Sequence, residues 1–191
     1  MSKINAAAAK VLMCKRVNGM TNPFALFALP VSFELDQHRL SQRYLALQKS
    51  LHPDNFANRS AQEQRLALQK SAEVNDALQI LKDPISRADS IIALHLGSQD
   101  TEQQTNHDMA FLMQQMTWRE QLEALEQQQD TQRLSAFSAQ IEQAGREILS
   151  ELSTALGAEN WQQARVLTDR LRFIRKLTAE IERIEETLLA F

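Results

Sequence analysis

Cysteine, glycine, proline and tyrosine are scarce in this chain of 191 residues, which holds one Cys, four Gly, four Pro and one Tyr. The lone Cys14 rules out an internal disulfide, and without a second thiol there is no Cys-based zinc or iron-sulfur site. No metal and no cofactor is therefore expected, and a reducing compartment fits best. The shortage of turn formers, beside abundant Leu, Ala, Gln and Glu, leaves little material for hairpins or pleated sheets. The chain reads as all-α. No run reaches the roughly 18 apolar residues that span a bilayer, so it reads as soluble, with no membrane partner.

What is present is charge of uneven sign. Residues 1–21 carry four bases and no acid, residues 22–96 balance eight against eight, and residues 97–191 carry nine bases against sixteen acids. An acidic second half argues against nucleic acid, because phosphate binding needs clustered Lys and Arg. In the leader, Lys10 interrupts a short apolar stretch, no cleavage signal follows it, and the Ser and Arg richness of an organelle presequence is missing. Residues 1–21 are read as an N-terminal extension without fixed structure, or as residues ahead of a natural start at Met20.

From Asn22 the pattern becomes regular. Pro23 opens a short helix with Phe24, Leu26 and Phe27 as core candidates. Asp36 caps a helix whose Leu40, Tyr44, Leu47 and Leu51 recur at steps of four, three and four, one buried stripe. His52 must end it, because a residue before proline is pushed out of helical geometry. Ser60 and Glu63 form a capping box that starts a second helix with Ala67, Val74, Leu78 and Leu81 on one face. Two such helices joined by a short loop pack antiparallel, which sets His52, Pro53 and Asp54 at the tip. Between Asp36 and Asp54 there is no acid, and Arg39, Arg43 and Lys49 fall off the apolar stripe, so the first helix presents a basic face. A tip of this kind offers neither enclosure nor a nucleophile for acid-base chemistry, and no phosphate loop or metal motif occurs elsewhere. No enzyme is read from this chain, and no catalytic residue.

Pro84 opens a connecting helix to Leu96 that stops at Gly97, and residues 97–107 are a polar linker. Three helical segments follow, Asp108 to about Gln129, about Thr131 to Leu156 with an end at Gly157, and about Glu159 to Leu189. Short connections make residues 108–191 a three-helix bundle. On the first of these helices Phe111, Trp118, Leu122 and Leu125 share one stripe, at about 100° per residue. Met109, Leu112, Met113 and Met116 fall on the opposite side, a second apolar face suited to adaptable binding. Phe173 lies at the edge of the core stripe Leu167, Leu171, Ile174 and Leu177, placed to join that face.

The short helix, the basic helix, the His-Pro-Asp loop, the long antiparallel helix and the ending "LKDPISRAD", with Asn75, Ala77, Leu81, Asp83, Pro84 and Arg87, resemble a J-domain, the module that activates DnaK-type chaperones. The Gly/Phe-rich segment and four Cys-x-x-Cys pairs of general-purpose J-proteins are missing. The segments "LFALP", "HPDNFA", "RAD", "AFLMQQM", "WREQLE", "LRFIRKL" and "LLAF" instead resemble the HscB family, the J-type co-chaperones of iron-sulfur cluster assembly, from Asn22 to Phe191. That resemblance implies an L-shaped pair of domains: a J-domain with its connecting helix, residues 22–96, and a scaffold-binding bundle, residues 108–191. It implies that His52, Pro53, Asp54, Arg39, Arg43 and Lys49 address the chaperone HscA and stimulate its ATPase. It also implies that Leu112, Met113, Met116, Glu120 and Phe173 hold the scaffold protein IscU. Two acidic positions of the family's patch are Thr117 and Ala124 here, so the apolar share of binding should be larger. A monomeric, cytoplasmic protein of bacterial type is expected. The competing reading is a helical structural or oligomerisation protein with no chaperone link. Breaks at Asp130 and Gly157 and the lack of sustained heptads count against it.

Overall fold

The computed structural model describes residues 16–17, 20–96 and 108–189. The chain divides into two compact units, Met1–Glu102 and Gln103–Phe191. The linker read over residues 97–107, with its stop at Gly97, lies outside the described residues.

The first unit begins with two two-residue strands, β1 (Arg16–Val17) and β2 (Met20–Thr21), paired antiparallel with Arg16 opposite Thr21. At these four residues the paired backbone departs from the expectation that residues 1–21 lack fixed structure. The rest of residues 1–21 lies outside the described residues, and the all-α class stands.

Helix α1 (Pro23–Leu26) starts where Asn22 Oδ1 accepts the Phe24 N–H at 3.0 Å. It seats Phe24 and Phe27 in the core, and Leu26 is half-buried. Helix α2 (Gln37–Ser50) is capped by Asp36, as its sequence predicts. Its expected stripe is buried unevenly: Leu40 is fully buried, whereas Tyr44, Leu47 and Leu51 are half-exposed. Both α1 and α2 pack on α3 (Ala61–Lys82), the principal neighbour of α2, and burial along α2 thins toward the tip. The capping box predicted at Ser60 and Glu63 is present in both directions, and the Ser60 hydrogen bonds hold the Glu63 carboxyl below its ordinary value. Val74, Ala77, Leu78 and Leu81 of α3 line the core. Each large apolar side chain buried this way contributes about 1.5–3 kcal/mol.

Helix α4 (Pro84–Leu96) is capped by Asp83, whose Oδ2 accepts from both the Ser86 N–H and hydroxyl. Arg87 is buried at the start of α4. Its Nη1 donates to the Leu81 carbonyl and its guanidinium lies 4.8 Å from the Phe33 ring centre. Burial pulls its pKa below the ordinary arginine value, against the opposing fields of Glu34 and Asp83. That cation fastens the α3–α4 corner to the loop that carries Phe33.

The second unit consists of α5 (Met109–Gln128), α6 (Thr131–Gly157) and α7 (Trp161–Leu189). Asp108, Asp130 and Asn160 cap their first turns through side-chain oxygens. The connections turn on Gln129 and Glu159, both left-handed, so α7 begins two residues later than the spacing had suggested. Helices α6 and α7 form the main pair, and α5 packs on both. Gly145 permits their approach, because a Cβ there would meet Ile174 Cγ2 at 3.1 Å. Leu134, Phe137, Ile141 and Leu152 of α6 and Leu167, Ile174, Leu177 and Ile181 of α7 are buried and build the core of this unit.

Candidate functional site

Two surfaces carry the predicted site residues, one on each unit. On the first, Pro53 begins a single 3-10 turn, Pro53–Phe56, between α2 and α3. His52, Pro53, Asp54 and Asn55 are all exposed, as the hairpin reading requires. His52 Nδ1 accepts the Asp54 N–H at 3.3 Å and lies 3.4 Å from Asp54 Oδ2. These two contacts set the histidine and aspartate side chains beside each other at the tip.

The tip is anchored by polar side chains that periodicity does not reveal. Asn55 Nδ2 donates to the Lys49 carbonyl at 2.8 Å and closes the end of α2. Gln64 Nε2 donates to the carbonyls of Phe56 at 3.1 Å and Arg59 at 3.2 Å, binding the loop to the first turn of α3. Behind it, Asn75 Oδ1 accepts from Tyr44 Oη at 3.2 Å and Gln48 Nε2 at 2.6 Å, which joins α2 to α3. A cleft of about 300 Å³, walled by Leu51, Pro53, Phe56, Ala67 and Leu68, opens beside the tip. Arg39, Arg43 and Lys49 are exposed on α2. Asn55 and Gln64 escaped sequence reasoning. Their signal was only an amide placed within a few residues of a helix stop.

On the second unit, Leu112, Met113 and Met116 are 45, 63 and 60% exposed, and Met109 is 66% exposed. These are large values for four apolar side chains on one helix face. Glu120 continues that face one turn on and is exposed. Phe173 comes from α7 and is half-buried in a ring cluster. It stacks on Trp118 with ring centres 6.1 Å apart at 14°, meets Phe111 edge-on at 5.7 Å, and has the Arg119 guanidinium 5.7 Å from its centre. Phe173 thus serves both packing and surface, and its removal would cost stability as well as contact area. The N-terminus of α5 is fastened by Asp108, whose Oδ2 accepts from Arg170 of α7 at Nε (2.8 Å) and Nη2. This hydrogen bonding, then the Phe111 N–H and the Arg170 charge, holds the Asp108 carboxyl below its ordinary value. Among the described residues no helix is long and apolar enough to cross a membrane, and no cluster of three metal-ligating side chains occurs.

The family model described as the HSCB C-terminal oligomerisation domain matches residues 107–182. The chain is 69% identical over 173 residues to the co-chaperone protein HscB homolog of Mannheimia succiniciproducens, covering 90% of this chain and all of that one. It is 65% identical to the Pasteurella multocida homolog, covering 89% and 99%. The structure of the chaperone HscB from Vibrio cholerae superimposes with a TM-score of 0.81 at 42% identity, over 87% of this chain and 99% of that one. The crystal structure of the human co-chaperone protein HscB shares the fold, with a TM-score of 0.76 at 24% identity over 88% and 84% of the two chains.

Proposed function

Because the chain belongs to the HscB family of co-chaperones, we propose that it binds the iron-sulfur scaffold IscU and delivers it to the DnaK-type chaperone HscA, whose ATPase it stimulates, in the bacterial cytoplasm. Residues 22–96 act on the chaperone and residues 108–191 hold the scaffold. His52, Pro53 and Asp54 dock and signal, and the chemistry of hydrolysis belongs to HscA. The observation that carries this reading is the anchored, exposed tip: a loop bonded at Asn55 and Gln64 loses little entropy on docking. Arg39, Arg43 and Lys49 steer it toward an acidic surface. The exposed Leu112, Met113 and Met116, with Glu120 and the outer face of Phe173, receive the scaffold. The protein acts as a monomer in this reading.

The test is HscA hydrolysis measured with this protein, with IscU, and with both. Stimulation by the protein alone, and a larger joint effect with IscU, is expected. The absence of stimulation would remove the chaperone role. A second reading is favoured by the description of the matching family model: the exposed methionine face pairs with a second copy. Sedimentation across micromolar concentrations separates the two, because self-pairing predicts a concentration-dependent mass that added IscU reverses.

A further inference from the structure

Phe173 is the one candidate scaffold contact not carried by the exposed face of α5, and its position is set by side chains of that helix. Trp118 lies beneath it with nearly parallel rings, Phe111 meets it edge-on, and these two rings also touch each other edge-on at 6.2 Å. Trp118 is 7% exposed, and its indole Nε1 is buried with no hydrogen-bond partner, so packing and not a polar contact holds the indole. A hydrogen-bonded tryptophan would be located by its polar end. This one has packing instead, with the rings of Phe111 and Phe173 among its contacts.

We propose that Trp118 is the positioning residue of the scaffold surface: it presets Phe173 as a rigid aromatic anchor, so the ring is already ordered when the partner arrives. The proposal rests on the scaffold reading above. A side chain ordered during folding does not have to be immobilised on docking, which favours tight contact. Aromatic pairs of this geometry couple beyond their buried area, enough to change an equilibrium by about two- to tenfold. Arg119, beside the same ring, adds a cation to the rim of the anchor.

The experiment is a double-mutant cycle in IscU affinity, by titration calorimetry, with wild type, Trp118→Leu, Phe173→Ala and the double variant. Trp118→Leu should weaken binding about fivefold to tenfold in the wild-type background and add nothing once Phe173 is alanine. Trp118→Phe, which keeps a ring under Phe173 and removes the orphan N–H, should restore affinity to within about twofold of wild type. Equal loss from Trp118→Leu in both backgrounds, or no loss in either, overturns the proposal. Should the leucine variant fail to fold, 5-fluorotryptophan incorporated into otherwise native protein supplies the measurement. The Trp118 fluorine resonance, assigned through Trp161→Phe, should shift when unlabelled IscU binds and stay unmoved in Phe173→Ala. An unmoved resonance in saturated wild type overturns it. Wild-type protein that fails to bind IscU at all defeats the scaffold reading instead, so the two failures are distinguishable.

Discussion

The two candidate surfaces are made rigid by opposite means. The tip of the first unit is polar and exposed, and side-chain amides hold it: Asn55 on Lys49, Gln64 on Phe56 and Arg59, Asn75 on Tyr44 and Gln48. The face on the second unit is apolar and rides on a helix held by ring packing and one shielded ion pair, Asp108 with Arg170. Hydrogen bonds to loop carbonyls fix a backbone in one conformation, as suits a signal read by shape. Packing leaves the outward methionines free to adapt, as suits a surface that grips another protein. The difference teaches that substitutions at the tip should act on signalling with little change in stability, whereas around Phe173 the two effects are mixed.

The sharpest way to break this comparison is His52→Gln. It should reduce HscA stimulation to the basal rate while the unfolding free energy changes by less than about 0.5 kcal/mol, because the side chain is exposed. ATPase assay and thermal melting check both halves. Next in size, Leu112→Ala, Met113→Ala and Met116→Ala together should weaken IscU binding about a hundredfold by calorimetry, with an unchanged melting temperature, since all three are exposed. A lower melting temperature would mean the face is core. Arg39→Glu with Arg43→Glu should slow association with HscA by about tenfold at low salt, and added salt should erase most of the difference. Stopped-flow kinetics at two ionic strengths decides it.

The smallest effect expected is Asp108→Asn, which keeps an N-cap but removes the charge facing Arg170. Folding lowers the Asp108 pKa from its ordinary 3.8, so its stabilisation is complete above that value and lost as pH falls through the folded one. The variant should therefore be less stable than wild type by about 1 kcal/mol at neutral pH. The gap should close as pH falls through and below 3.8 in thermal melts.

Much of this was legible in the chain because it is local. Caps at Asp36 and Ser60 are written in single residues beside the helices they start, and the structure places each there; Asp108, expected as the first residue of its helix, and Asp130, expected as a break, are caps as well. The His52 tip follows from a proline and two apolar stripes, and the exposed methionines from one helix having two apolar faces. The interactions between residues far apart in sequence were not legible. Tyr44 meets Asn75 across 31 positions and Asp108 meets Arg170 across 62, and no periodicity announces such pairs. Trp118 was read correctly as core, but nothing in its own helix says that it stacks on Phe173. The pairing of Arg16–Val17 with Met20–Thr21 was not legible from the basic, acid-free composition of the leader.

The central claim is that one molecule must carry both surfaces, so that a scaffold held at one end is presented at high effective concentration to the chaperone addressed by the other. The most direct test is HscA single-turnover hydrolysis at limiting IscU with wild type, with His52→Gln, with the Leu112, Met113 and Met116 alanine variant, and with an equimolar mixture of the two variants. Wild type should give a joint stimulation that neither variant reaches, and the mixture should do no better than the alanine variant alone. A mixture that restores the wild-type rate would show that the two surfaces act without being joined, and would contradict the account.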